Sequence, residues 1–132
     1  MSFEVIRVAV ESHMVAWNGA PVAFDNVPAS QAVLDAQANK TPWARLTINH
    51  GDSFTSGLGS EPCVRRTGLI QVQVFTGEDK SSRDAHLIAD SLASHLQYYT
   101  DGPFSTLAAS VQRVGPRSGY YQLNLSCPFR HG

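Results

Sequence analysis

The residues of this 132-residue chain that could do chemistry are five histidines, two cysteines and a scatter of arginines. His50-Gly51-Asp52 sets an imidazole and a carboxylate two apart at a strand end. With Arg66, these two are the raw material of a small ligand-binding or catalytic site. His86 and His95 are nine apart, two and a half helical turns, so they point to different faces. His13 sits in a first helix and His131 in the tail. There is no HxxxH, no HExxH and no cysteine pair at zinc spacing, so no metal ligands are expected. Cys63 lies beside Arg65 and Arg66, which would lower a thiol pKa, but it has no partner base. Cys63 and Cys127 therefore read as small core hydrophobes. No GxSxG elbow occurs, and no lysine follows the glycines of Thr55–Ser60 as a phosphate loop requires. The expectation is no catalytic residue, no cofactor and no enzyme activity.

The elements that would carry these residues are legible as periodicities. Phe3, Ile6, Val10, Met14 and Trp17 recur at steps of three and four, predicting a helix over Ser2–Trp17 capped by Ser2 and stopped by Asn18-Gly19. Ala20–Phe24 suggests a short extended piece and Ser30–Ala38 a weak helix. Trp43–His50 alternates as a strand, followed by a long loop over Gly51–Pro62. Cys63–Thr76 is the strongest strand, with Val64, Gly68, Ile70, Val72 and Val74 on one face. Ala85, Ile88, Leu92, Leu96 and Tyr99 predict a helix over Ser81–Tyr99, capped by Asp79 or Ser81 and stopped by Asp101-Gly102-Pro103. Leu107–Val114 and Tyr120–Cys127 form a hairpin around Gly115–Gly119, with Pro128 closing its second strand. This order predicts one α+β domain over 1–132: a mostly antiparallel β-sheet with two main helices packed on one face.

The second sheet face is unusual in composition. It carries Thr47, Asn49, Gln71, Gln73, Gln122, Asn124 and Ser126 with Leu69, Phe75 and Tyr120, where a solvated sheet would show Lys and Glu. Protein interfaces deplete Lys, Glu and Asp and favour aromatics and Arg. Two readings stay open: a protein interface, or a short second layer from residues 18–42 covering that face. The candidate interface set is Arg45, Arg65, Arg66, Gln71, Gln73, Phe75, Tyr120 and Gln122. The candidate mobile, partner-sensing loop holds Gly51, Phe54, Gly57, Leu58 and Gly59.

A net charge of −1 gives no general argument for nucleic acid or a membrane surface, and no apolar run approaches spanning length. Arg65, Arg66, Arg113, Arg117 and Arg130 could touch phosphate if clustered, although arginines more often make carboxylate pairs. No apolar signal segment precedes Glu4 and Arg7, so a cytosolic chain with reduced thiols is expected.

From Trp43 to Thr76 and through the next helix, the sequence resembles the tail terminator proteins of long-tailed bacteriophages. The matching pieces are Trp43-Ala44-Arg45 opening a strand, a Gly-rich interruption, and Arg65/Arg66 with Gly68 before Leu69–Phe75. After Gly77 comes the helix holding Ala85, Leu87, Ala89, Asp90 and Leu92. The first helix, Asn26-Val27-Pro28 and the closing hairpin fit the same layout, so the resemblance spans nearly the whole chain. The glycine-rich turn before the helix is reduced here to a single Gly77. The resemblance implies a virion structural protein assembled in the host cytoplasm and placed at the neck-proximal end of the tail. It implies a ring, a homohexamer, that caps the tail tube, stops its polymerisation and offers a head-joining surface. The implied partners are itself, the major tail tube protein and a neck or head-completion protein. No membrane and no sequence-specific nucleic acid are implied, although DNA passes through such a ring. The alternatives are a neck or head-completion (head–tail connector) protein, and a small ligand-binding domain or enzyme using His50 and Asp52.

Overall fold

The structure is a computed structural model that describes residues 2–55, 64–78 and 81–132. The described elements run α1 (Ser2–Val15), β1 (Val22–Ala23), α2 (Gln31–Asn39), β2 (Trp43–Thr55), β3 (Val64–Gly77), α3 (Arg83–Leu96), β4 (Thr100–Asp101), β5 (Phe104–Thr106), β6 (Ser110–Arg117) and β7 (Tyr120–His131). One sheet holds all seven strands in the order β1-β2-β3-β7-β5-β4, with β6 also on β7. The architecture is α+β and the sheet is mixed. β1 runs parallel to β2, and every other described pairing is antiparallel.

The parallel pair follows from connectivity. β1 returns to β2 through α2, and a parallel neighbour needs such a crossover. Ser30 caps α2, accepting from the Val33 N–H at 3.4 Å, and Lys40 ends it in the left-handed conformation. Strand alternation divides the sheet. Ala44, Leu46, Ile70, Val72, Val74, Leu123 and Leu125 form one core cluster with Ile6, Val10 and Met14 of α1 and Ala85, Ala89, Leu92 and Leu96 of α3. Val33, Ala36 and Trp43 form a second cluster, with Phe75 and Tyr120 packed against it.

Several expectations need correction. α1 stops at Val15, short of Trp17, and α3 spans Arg83–Leu96 rather than Ser81–Tyr99. Ser82 occupies the α3 N-cap position without a side-chain cap bond, while the Ser81 hydroxyl accepts from the Arg83 N–H. Asp79 lies outside the described residues. β2 continues through Thr55, so Gly51 and Phe54 belong to a strand and not to a loop. A register shift between His50 and Ser53 lets β2 absorb Gly51 and Asp52 and still follow β3. Pro128 does not close β7, which runs to His131. It sits where β7 changes outer neighbour from β6 to β5, so its missing N–H removes no rung to either. Asp101-Gly102-Pro103 is the β4–β5 turn. The β6–β7 turn is Ser118-Gly119, both at positive φ, as a tight two-residue hairpin demands.

Candidate functional site

The registers of β2, β3, β7 and β6 lay the uncharged face out in rows. Trp43, Phe75 and Gln122 form one, followed by Arg45, Gln73, Asn124 and Gln112, and then Thr47, Gln71, Ser126 and Ser110. The amides pair across and along strands. Asn49 Nδ2 donates to Gln71 Oε1, Gln122 Nε2 donates to Asn124 Oδ1 at 2.8 Å, and an Arg45 guanidinium N–H reaches Gln73 Oε1 at 3.4 Å. Such a ladder satisfies polar groups without a carboxylate.

The second-layer reading of this face finds its counterpart at one end. α2, from the 18–42 segment, packs over the Trp43 end. Phe75 stacks on Trp43 with centroids 4.3 Å apart, and Tyr120 stands edge-on to both. The Tyr120 hydroxyl donates to the Gln37 carbonyl of α2 at 2.9 Å. Phe75 and Tyr120 are therefore half-buried inside the subunit, and Gln122 is buried. Arg45, Asn49, Leu69 and Gln112 remain exposed, with Gln71 and Gln73 half-exposed.

Alternation separates Arg65 from Arg66, so they are not a pair. Arg66 lies on the helix face, its guanidinium 4.2 Å from the Phe3 ring centroid and donating to Ser53 Oγ at 2.9 Å. Arg65 pairs in register with Phe54, one position out of phase. Gly57, Leu58, Gly59 and Cys63 lie outside the described residues.

A basin of about 360 Å³ opens at the covered end of the face. Trp43, Arg45, Gln73, Phe75, Arg117, Ser118, Tyr120 and Gln122 line it. The Arg45 guanidinium lies 5.3 Å from the Trp43 centroid and 5.6 Å from that of Phe75, and Lys40 Nζ is 4.2 Å from Tyr120. Lys40, which ends α2, and Arg117, which ends β6, were not among the interface candidates, because each adjoins a turn where no periodicity assigns a face. Tyr120, adjacent to the turn and paired in register with Arg117, was the one signal that could have found them. The described ion pairs are both made by Arg7 on α1, to Glu4 and Glu11.

The His50, Asp52 and Arg66 set is only partly assembled. His50 packs edge-on to Phe3 at 5.0 Å and to Phe129 at 6.3 Å. The Asp52 backbone carbonyl accepts from Thr67 Oγ1, and no hydrogen bond among the described residues joins its side chain to His50. Nor does any group of three His, Cys, Asp or Glu among the described residues converge as a metal site would require. No helix among them is long and apolar enough to cross a membrane.

One histidine pair that the sequence did not bring together meets between α1 and α3. His13 and His95 stack with centroids 3.9 Å apart and planes 9° apart, and Tyr99 stacks on His13 at 3.7 Å. Each Nε2 donates to the other residue's backbone carbonyl at 2.6 Å, which sets both Nε2–H tautomers when the rings are neutral. Burial pushes the His13 pKa down. Burial likewise pushes the Cys127 thiol up.

A family model described as phage tail terminator protein matches residues 5–117, most of the chain. The chain belongs to the phage tail terminator family. Membership places it among the structural proteins of the phage tail, acting with other tail and head proteins. No curated protein matches it in sequence. A solved structure whose name states no function superposes with a TM-score of 0.71 at 17% identity, covering 100% of this chain and 96% of that one. At that identity the likeness concerns the fold alone.

Proposed function

We propose that this tail terminator forms a ring, a hexamer, on the end of the tail tube. There it stops further tube polymerisation and presents the surface that the head, through a neck or head-completion protein, then meets. The observation that carries the reading is the family match over residues 5–117, read together with an uncharged sheet face on a chain of net charge −1. A ring needs two different patches on each subunit that meet head to tail. Two unlike surfaces support it. One is the face bearing Arg45, Gln71 and Gln73. The other is the outer edge of β2 beyond Arg45, which has no strand partner among the described residues. An open strand edge is a template for pairing. Arg65, which pairs with Phe54 at the far end of β2, extends the first patch.

The test is reconstitution. Purified protein is added to tubes of the major tail protein and examined by electron microscopy and native mass spectrometry. Rings at tube ends and arrested growth are expected. Monomer in every condition, with tube length unaffected, refutes the ring.

A further inference from the structure

We propose that the basin between Arg45 and Arg117 is a carboxylate receptor, and that its occupant is an Asp or Glu side chain of a second copy of this chain. The proposal rests on the ring reading above and names the chemistry of one of its contacts.

The basin has the parts such a receptor needs. Its floor is the Trp43, Phe75 and Tyr120 cluster, held by stacking and by the Tyr120 bond to Gln37. The Arg45 guanidinium lies over two of these rings, which orients a cation without neutralising it. Among the described residues its one hydrogen bond, to Gln73 at 3.4 Å, leaves most of its five N–H donors open. Arg117, the last residue of β6, and Ser118, in the two-residue turn that follows, also line the basin. Lys40 adds a third cation beside Tyr120. No Asp or Glu among the described residues lies within 4.0 Å of any of the three.

The choice of ligand follows from scale. A volume of about 360 Å³ with an aromatic floor and amide walls fits one side chain. Planar guanidinium groups recognise carboxylates in two-pronged pairs. A polyanion such as nucleic acid is drawn by a field over a whole surface, and a chain of net charge −1 offers none. The choice of a second copy follows from charge complementarity. Asp25, Asp84, Asp90 and Asp101 are exposed, and none has an ion partner among the described residues. Cations unpaired in one region and carboxylates unpaired in others, on one nearly neutral chain, complement each other between copies.

The experiment places a photo-crosslinking p-benzoyl-phenylalanine at Ser118 of the full chain, alone and bound to tail tubes. Mass spectrometry then maps the crosslinks. Crosslinks to an Asp- or Glu-bearing peptide of another copy are expected. Arg45→Glu with Arg117→Glu should remove them and weaken self-association by roughly ten-fold or more, and Arg45→Lys with Arg117→Lys should retain part of it. Near-ultraviolet circular dichroism of the Trp43 region checks that each variant is folded, and Arg45→Gln with Arg117→Gln serves as a milder second pair. Crosslinks to DNA, to a different tail protein or only within one chain overturn the proposal. Rings that form unchanged from the charge-reversed variant overturn it while leaving the ring reading intact. Absence of any oligomer from the unmodified chain, with or without tubes, overturns both.

Discussion

Acidification should loosen α1 from α3 through the His13–His95 stack. Neutral rings at 3.9 Å fit together, and each donates to the other's carbonyl. The bonds that join the two helices are already made by the neutral rings, since each Nε2 donates without an added proton. Two imidazolium charges about 4 Å apart would repel by about 4 kcal/mol at an effective dielectric of 20. A charge on His95 therefore disfavours one on His13. The His13 pKa is lowered chiefly by desolvation. The bond to the His95 carbonyl opposes this and the His95 charge adds to it. The sign follows from linkage. Above the unfolded value of roughly 6.5 neither state binds the proton, and there is no effect. Below it the unfolded chain takes a proton that the native His13 resists, so stability falls as pH falls toward the depressed native value. One refused proton costs at most about 2 kcal/mol at pH 5, and because the rings are half-exposed, solvent screening brings this to about 1 kcal/mol. Urea unfolding at pH 7.5, 6.5 and 5, for the parent and His13→Gln, isolates the effect from general carboxylate titration. The parent should lose about 1 kcal/mol more than the variant between the first and last pH. An identical drop in both would show that the stack does not sense protons.

Four further outcomes follow from packing. Leu92→Ala removes a fully buried side chain from the α1–α3–sheet core and should cost about 3 kcal/mol in denaturant unfolding. Gly68→Ala puts a Cβ 2.5 Å from both the Asn49 carbonyl and the Phe129 ring, so it should cost about 2 kcal/mol or more and lower Tm by several degrees. Tyr120→Phe deletes only the hydroxyl bond to Gln37 and should cost about 1 kcal/mol. In a Cys63→Ser background, Cys127 should resist Ellman's reagent at pH 8 until the chain unfolds, because burial raises its pKa and the residue is inaccessible.

How much of this was legible depended on how many residues each feature spans. The periodic rows of β3 and α3 repeat four or five times; Ile70, Val72, Val74, Ala85, Leu92 and Leu96 are buried as those rows name them, while Gly68, Ile88 and Tyr99 are half-buried and Val64 is exposed. β5 has three residues, too few to show a period, yet its Phe104 and Thr106 are buried. Glycine misled at Gly51. Its composition argues for a loop, but a register shift beside it carries β2 on to Thr55. The arginines were legible as residue types and not as a geometry. Neighbours in sequence are opposed in a strand, which is why Arg65 and Arg66 part company and Arg66 ends on Phe3. Arg45 and Arg117, 72 positions apart, line one basin only because β2, β3, β7 and β6 lie side by side. That juxtaposition belongs to topology, and no local pattern encodes it. The same logic explains the uncharged face. A sequence can show that lysine and glutamate are missing from a set of alternating positions. Whether α2 or another subunit takes their place is decided by where residues 31–39 dock. They dock against Trp43, Phe75 and Tyr120, and leave Arg45 exposed and Gln71 and Gln73 half-exposed. What remains of this face at the subunit surface is thus set by α2, which packs against one side of the aromatic cluster and leaves the Arg45 side beside it exposed.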